Sequence, residues 1–271
     1  MNTSVSAPDL LETIVAATTR AVVVRSRDVP IDLLEKRAAE ERRRPRGEAF
    51  ERALRESAAP RVIAECKRRS PSRGILRADY DPAAHARAYE GAGAAAISVP
   101  TEPTFFDGAL EHLRAVRAAV HVPVLRKDFI VSQYQLAEAV ANGADAVLLI
   151  VAALDDQHLR ELLERAHALG LACLVEVHDT AEIASAVEAG ARIVGVNSRN
   201  LRTLTVDMHV LETAATLLPE SVTAVAESGI RSPLDLARLA AAGYRAFLVG
   251  ERLMTQPDPG EALKRLRGVQ A

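Results

Sequence analysis

Hydrophobic and polar positions follow two different spacings along the chain from about residue 60 onward. Short apolar runs, typical of buried strands, alternate with longer stretches in which apolar residues recur at helical spacing. The pattern predicts strands at residues 62–66, 95–99, 122–126, 146–151, 172–176, 193–197, 223–226 and 246–250. It predicts helices between them at residues 83–90, 108–119, 132–141, 156–169, 180–189, 206–217 and 233–242.

Strict alternation of apolar strands with helices indicates a parallel sheet that is covered on both faces. Eight such units in a chain of 271 residues favour an α/β fold, the (β/α)8 TIM barrel, whose usual length is about 250 residues. A doubly wound sheet that binds a dinucleotide is disfavoured, because no G-x-G-x-x-G motif follows the first strand. Glycines near the helix ends, as at Gly143, Gly190 and Gly243, suit the left-handed residue that ends a helix.

The first 60 residues lack this alternation. They predict three helices, at residues 9–24, 31–44 and 48–57, which Pro30 and Pro45 separate. We expect residues 1–60 to form an N-terminal helical extension packed on a barrel of residues 61–271, within a single domain overall. Glu12 and Arg20 interrupt the first apolar run, so no secretory signal peptide is expected.

Composition and charge limit the kinds of binding partner that we expect. Aromatic residues make up only 3% of the chain, so the core must consist mainly of Ala, Val, Leu and Ile. The net charge of −2 provides no field for nucleic acid or an anionic membrane, and the basic segment 42–46 is interpreted as a solvated helix end. No stretch approaches the roughly 20 apolar residues of a membrane span. We expect a cytoplasmic monomer or weak homo-oligomer, with Cys66 and Cys173 reduced and buried.

Polar residues at the ends of the strands are the candidates for chemistry, because a barrel places its functional groups there. If Ala64 and Cys66 face the helices, Glu65 and Lys67 point into the barrel. The same alternation directs Lys127, Glu176 and Asn197 inward from three other strands, so all five side chains could converge on one cavity. Charged groups that are buried together have shifted pKa values, as general acids and bases require. Each taken singly could equally be an exposed surface residue.

The loops after the last two strands carry a different signal. Ser228 and Gly229 follow the seventh strand, and Gly250 ends the eighth. Glycines at these two positions let backbone N–H groups approach a phosphate closely, although ordinary turns also use glycine. The seven histidines show no spacing typical of a metal site, so no metal is expected.

Taken together, the strand ends resemble the indole-3-glycerol-phosphate synthase family of tryptophan biosynthesis. The match runs in order from about residue 60 to 255. It rests on the segments Ile63-Ala64-Glu65-Cys66-Lys67-Arg68-Arg69-Ser70-Pro71-Ser72, Thr101-Glu102-Pro103-Thr104-Phe105-Phe106-Asp107-Gly108, Leu125-Arg126-Lys127-Asp128-Phe129-Ile130, Leu174-Val175-Glu176-Val177-His178, Gly195-Val196-Asn197-Ser198-Arg199-Asn200-Leu201, Ala226-Glu227-Ser228-Gly229-Ile230 and Phe247-Leu248-Val249-Gly250.

The resemblance implies a carboxy-lyase that closes the ring of 1-(2-carboxyphenylamino)-1-deoxyribulose 5-phosphate and decarboxylates it, without a cofactor. It implies a catalytic set that consists of Glu65, Lys67, Lys127, Glu176, Asn197 and Ser228. Within it, Lys127 is the general acid and Glu176 the general base, and Glu65 and Asn197 stabilise the intermediates. Lys67 would bind the anionic groups of the substrate and could also donate a proton, and the division of acid roles between the two lysines stays open.

The resemblance also implies the residues that bind the rest of the substrate. The phosphate is assigned to Ser228, Gly229 and Gly250, and the substrate carboxylate to Ser70 and Arg199. Phe106, Phe129 and Leu248 are assigned to the apolar wall around the anthranilate ring.

One departure and two alternatives remain at this point. Glu251 stands where some members of the family have a serine near the phosphate. A carboxylate there would be repelled by phosphate unless it turned away, so Glu251 is left out of the site and its orientation stays open. A barrel of the phosphoribosylanthranilate isomerase type would share the phosphate loops, but it needs only one acid/base pair. A non-catalytic scaffold would lack the charges at the strand ends, all of which this chain retains.

Overall fold

The computed structural model describes residues 9–41 and 44–269. Within them the strands are β1 (Arg61–Glu65), β2 (Arg69–Ser70), β3 (Gly74–Ile75), β4 (Ala96–Pro100), β5 (Val124–Lys127), β6 (Ala146–Ile150), β7 (Ala172–Val177), β8 (Ile193–Asn197), β9 (Thr223–Glu227) and β10 (Ala246–Val249). Eight of them, β1 and β4–β10, are parallel and close into a barrel in which β10 pairs with β1. The predicted barrel is confirmed, and each of its strands lies within two residues of the predicted one.

Helices follow the strands and surround the barrel. The helices of the described residues are α1 (Leu10–Asp28), α2 (Ile31–Glu40), α3 (Gly47–Glu56), α4 (Pro82–Gly91), α5 (Leu110–Ala119), α6 (Gln133–Ala141), α7 (Asp156–Ala168), α8 (Ala181–Glu188), α9 (His209–Ala215), α10 (Pro233–Ala242), α11 (Glu251–Met254) and α12 (Pro259–Leu266). Gly93, Gly143, Gly190 and Gly243 all have positive φ, as expected for residues that end a helix.

Three local features differ from the pattern. The helix predicted at residues 206–217 is shorter, because the residues before it form a turn that is closed by a bridge between Arg199 and Val206. The two-residue strands β2 and β3 form a small hairpin after β1, which is too short to leave a periodic signal. The helix predicted at 31–44 ends at Glu40, and Arg42 and Arg43 of the basic segment lie outside the described residues.

Arg46, the last residue of that basic segment, has a structural contact. Its guanidinium lies 3.1 Å from Oδ2 of the buried Asp145 and donates to the carbonyl of His121. Both cysteines are buried and free, as predicted. In the part of the chain that the structure describes, no helix has the length and hydropathy needed to cross a membrane.

Two apolar layers follow from the alternation of side chains along the strands. The inner layer fills the barrel with residues such as Ile63, Leu125, Leu174 and Val225, and Phe50 of α3 belongs to the same cluster. The outer layer lies between the strands and the surrounding helices. Since the backbone of α3 bonds to the turn before β7, α3 covers the end of the barrel where the strands begin.

Helix α1 lies at the opposite end of the barrel, where the strands finish. Its Leu11 and Ile14 belong to the inner cluster together with Phe129 and Leu248. An ion pair of 2.7 Å between Nε of Arg25 and Oε1 of Glu138 ties the last turns of α1 to α6. The extension therefore contacts both ends of the barrel, and α1 covers the end at which catalytic residues of such barrels lie.

Candidate active site

Two adjoining cavities open at the ends of the strands. The first reaches from β1 to β10, and the second lies over the loops after β9 and β10. The first is lined by Glu65, Lys67, Ser70, Phe106, Lys127, Phe129, Glu176, Asn197, Arg199, Ser228 and Leu248. Gly229 and Gly250 line the second, together with Glu65, Lys67, Arg199, Ser228 and Leu248, which line both. The structure thus brings together every residue that the sequence assigned to the site.

A cluster of buried charges forms the floor of the first cavity. Nζ of Lys127 lies 3.0 Å from Oε2 of Glu176 and 3.5 Å from Oε2 of Glu227. Beside them, Nζ of Lys67 lies 2.5 Å from Oε2 of Glu65. All three carboxylates are at most 3% exposed, whereas both lysines keep a partly exposed side chain. The cations therefore face the cavity while the carboxylates lie beneath them.

Burial and neighbouring charges separate the protonation states of this cluster. Burial alone would lower the pKa of Lys127, but the carboxylates of Glu176, Glu227 and Glu65 outweigh it and raise that pKa, so Lys127 stays charged. Burial would raise the pKa of Glu176, yet Lys127 and His178 hold it well below its ordinary range. Burial and the charge of Glu176 instead raise the pKa of Glu227 to about 8. Two neighbouring carboxyl groups thus differ, one ionised and one protonated near neutral pH.

Two glycines make room for these carboxylates. A Cβ atom on Gly195 of β8 would lie 2.2 Å from Oε1 of Glu227, and a Cβ atom on Gly250 would lie 2.2 Å from Oε2 of Glu65. Any larger residue at either position would displace the carboxylate. Gly250 therefore has a structural reason to be glycine apart from any contact with phosphate.

The loop after β9 has an unusual backbone that aims side chains at the cavity. Ser228 and Gly229 both have positive φ, which is uncommon for serine. The hydroxyl of Ser228 donates to Oδ1 of Asn197 at 2.8 Å, and the backbone N–H of Arg199 donates to the same oxygen. With Oδ1 occupied twice, the amide group of Asn197 is held in one orientation at the edge of the cavity.

The carboxylate of Glu251, whose orientation the sequence left open, faces the cavities. Its carboxylate lines both cavities, with one oxygen 3.3 Å from Nη2 of Arg199 and the other 3.5 Å from Nη1 of Arg73. These two arginines supply the positive charge that offsets the carboxylate. Such pairs between distant loops leave no signal in a local sequence pattern.

Apolar residues from two directions cover the other side of the first cavity. The rings of Phe106 and Phe129 lie 6.1 Å apart between their centroids, and Leu11 and Ile14 of α1 complete the wall. The loop that carries Phe106 is fixed by the buried Glu102, whose carboxylate accepts three backbone N–H groups of residues 104–106. The wall is therefore held in place before any ligand binds.

Glu227 is the member of the charge cluster that the sequence analysis left without a role. It ends β9 in the inward phase shared by Val225, so the alternation used for the other strands would have found it. Because glycine follows in the next loop, this segment was interpreted only as a phosphate-binding loop. Leu11, Ile14 and Glu102 were also missed, because nothing in their local sequence indicates which part of the barrel they contact.

The chain is similar in sequence to known proteins over most of its length. A family model described as indole-3-glycerol phosphate synthase matches residues 11–266. An indole-3-glycerol phosphate synthase of Parafrankia sp. is 59% identical over 203 residues, which cover 74% of this chain and 76% of that protein. Indole-3-glycerol phosphate synthase 1 of Streptomyces coelicolor is 50% identical over 257 residues, covering 95% and 94%.

A solved structure supports the fold alone. Thiamine phosphate pyrophosphorylase from Pyrococcus furiosus superimposes with a TM-score of 0.59 at 18% identity, over 77% of this chain and 94% of that one. Such low identity carries no information about the reaction. The family model and the relatives, which span most of the chain, do: this chain belongs to the indole-3-glycerol phosphate synthase family.

Proposed function

We propose that the protein converts 1-(2-carboxyphenylamino)-1-deoxyribulose 5-phosphate into indole-3-glycerol phosphate, CO2 and water in tryptophan biosynthesis. Family membership supports this reaction. The observation that carries it is the pair of charged lysines above buried carboxylates, at the end of the barrel where such enzymes act. An isomerase with one acid/base pair would have no use for so many ionisable groups.

The ring closure needs a general acid close to the ketone of the substrate. The aromatic carbon that bears the carboxylate attacks the ketone carbon, and the ketone oxygen takes up a proton. Loss of CO2 then restores the aromatic ring. Lys127 is the donor in this proposal, because the surrounding carboxylates keep its ammonium group protonated and its side chain reaches the cavity.

Dehydration needs a base and a second acid. The new hydroxyl leaves as water, and a proton is removed from the neighbouring position to form the double bond of the indole. Glu176 serves as the base, since Lys127 and His178 keep it ionised. Lys67 is the group that protonates the leaving hydroxyl, and it also attracts the substrate anions. Glu65 holds Lys67, and Asn197, fixed by Ser228, donates its amide to the intermediates.

The remaining groups of the substrate have matching surfaces. The phosphate is assigned to the second cavity, at Ser228, Gly229 and Gly250, where Arg73 and Arg199 add positive charge. The anthranilate ring is assigned to Phe106, Phe129 and Leu248. Its carboxylate is assigned to Ser70 and Arg199. Arg199 lines both cavities, so it can contact either anion.

A direct assay tests the proposed reaction. The purified protein is incubated with the carboxyphenylamino-deoxyribulose phosphate, and indole fluorescence is followed. The chain contains no tryptophan, so the product is seen against a low background. We expect fluorescence to rise as substrate is consumed and CO2 is released in equal amount. An intact substrate after prolonged incubation would contradict the proposal, as would consumption without CO2.

A further inference from the structure

His178 lies directly beneath the active site, and only its charge beside Glu176 has a part in the proposed reaction. It follows the last residue of β7, and its ring sits between two carboxylates. Nε2 lies 3.0 Å from Oε1 of Glu176, and Nδ1 lies 3.6 Å from Oε2 of Glu182. The side chain is only 9% exposed, and His178 is not among the residues that line either cavity.

The contact with Glu176 divides the two oxygens of that carboxylate between two cations. Oε1 faces His178, whereas Oε2 faces Lys127 at 3.0 Å. Oε2 accepts a hydrogen bond from Lys127, whereas the ring nitrogens of His178 have no hydrogen-bond partner among the described residues, so the attraction on Oε1 is electrostatic. Opposite charges at both oxygens restrain the rotation of the carboxylate about its last bond. The orientation of Oε2 toward the cavity therefore depends on what holds Oε1.

Glu182 fixes the position of His178 from the other side. It lies in the first turn of α8, and Oε2 accepts the backbone N–H of His178 at 2.7 Å as well as facing its ring. Asp179 accepts the N–H groups of Ala181 and Glu182, which secures that turn. The turn at Val151–Ala153 that packs on α8 brings no titratable side chain, so the charges facing the ring are the two glutamates.

The surroundings also set the charge of the imidazole. Burial alone would lower the pKa of His178, but Glu176 and Glu182 outweigh it and raise the pKa to about 9. The ring is consequently an imidazolium at neutral pH. It contributes to keeping the pKa of Glu176 below its ordinary range, alongside the larger effect of Lys127.

We propose that His178, held in place by Glu182, is a positioning residue for Glu176. It turns Oε2 of the carboxylate toward the substrate and keeps the group ionised until it removes the proton in the dehydration step. No bond to His178 is made or broken, and the proton stays on Glu176 until it returns to solvent. This inference rests on the role proposed for Glu176 as the general base.

The test compares His178→Asn and Glu182→Gln with the unaltered protein by measuring kcat and KM between about pH 3 and pH 9, because the pKa of Glu176 lies well below 4.5. We expect His178→Asn to lower kcat about tenfold, with KM within about twofold, because only the placement of a base is lost. The acidic limb of the kcat profile should move upward by about one pH unit, since Glu176 loses one of its two cations. Glu182→Gln should also lower kcat and move the acidic limb upward, but each change should be smaller than in His178→Asn.

A matched control is His209→Asn. His209 also faces a glutamate, Glu212 at 3.4 Å, but its side chain is 88% exposed and lies outside the cavities. It should leave kcat and the pH profile unchanged. The inference is overturned if His178→Asn and Glu182→Gln both keep the original profile, or if kcat falls without any shift of the acidic limb. If His178→Asn fails to fold, the pH profile of Glu182→Gln alone tests the inference.

Glu176→Gln separates this inference from the function on which it rests. If Glu176→Gln turns over at the original rate, the general-base assignment itself is wrong. If Glu176→Gln is inactive while His178→Asn behaves like the unaltered protein, only the role of His178 is refuted.

Discussion

At the scale of single residues, the site works by giving identical side chains different environments. Glu176 and Glu227 are both fully buried glutamates next to Lys127, yet their pKa values move in opposite directions. Glu176 has a second cation in His178, whereas Glu227 meets the negative charge of Glu176. Small residues make this possible, because Gly195 leaves space for the carboxyl group of Glu227. The pair consequently shares a single proton near neutral pH.

The first prediction concerns Lys127. Lys127→Ala should lower kcat by about 10²-fold or more, which is the scale of a lost general acid. The far-UV circular dichroism should stay unchanged, because a part-exposed lysine contributes little to the core. Lys36→Ala is the control, since the side chain of Lys36 is 71% exposed on α2. Turnover near that of the control would remove Lys127 from the mechanism.

The raised pKa of Glu227 should make the stability of the protein depend on pH. The folded protein raises the pKa of Glu227 from 4.5 to about 8, so it holds this proton more tightly than the unfolded chain does. The contribution to stability is full below about pH 4.5 and is lost as the pH rises through about 8. Glu227→Gln stays neutral at every pH. The Tm difference, variant minus original, should therefore increase by a few °C between about pH 5 and about pH 9.

Glu48→Gln provides the comparison for this experiment, because Glu48 has a side chain that is 93% exposed. The raised pKa of His178 also makes the protein less stable as the pH rises from 6.5 through about 9, but this contribution cancels between variant and original. A Tm difference that stays constant with pH would show that Glu227 is ionised in the folded protein.

At the scale of elements, the barrel could be derived from the sequence, whereas the cover of its active end could not. The alternation of side chains within each strand indicates which residues point into the barrel. Glu65, Lys127 and Glu176 could therefore be assigned to the site from local sequence. The position of α1 depends on contacts between residues far apart, such as Arg25 with Glu138, which are separated by 113 positions. The contact of Glu251 with Arg199 is of the same kind. Local periodicity carries no information about such pairs.

Helix α1 leads to a prediction about substrate binding. Leu11→Ala should raise KM about tenfold or less and leave kcat within about threefold, because Leu11 covers the cavity without reaching the reacting atoms. Val24→Ala is the matched control on the same helix, since Val24 is 57% exposed. If kcat fell as strongly as kcat/KM, α1 would take part in the chemical step rather than in binding.

At the scale of the whole molecule, we propose that the extension and the barrel form one folding unit. Phe50 and Leu54 of α3 are fully buried in the cluster that fills the barrel, so α3 cannot detach without opening that core. A closed barrel has no edge strands, because its first strand pairs with its last at a closing seam. In this protein the closing seam is the pairing of β1 with β10, and β4 pairs with the other side of β1.

Arg267, just after α12, joins the segments that lead into this seam. Its guanidinium donates to the carbonyl oxygens of Pro60 at 3.2 Å, Ala92 at 2.8 Å and Ala58 at 3.3 Å. Pro60 precedes β1, and Ala92 ends the helix that leads to β4. Gly93 leaves room for the guanidinium, because a Cβ atom there would collide with Nη1 of Arg267. The end of the described chain thus connects the segments that lead into β1, the strand on which the barrel closes, and into β4.

Arg267→Met should therefore destabilise the whole barrel while sparing catalysis. Losing charge-assisted hydrogen bonds to three carbonyls, one of them exposed, should lower the free energy of unfolding by about 2 kcal/mol. Urea denaturation should show a lower midpoint with a single transition by both fluorescence of tyrosine and circular dichroism. The kcat value should not change, since Arg267 lies at the end of the barrel opposite the site. Arg265→Met, an exposed arginine on α12, should leave the midpoint unchanged. Equal midpoints for the two variants would mean that closure does not depend on Arg267, and two separate transitions would refute the single folding unit.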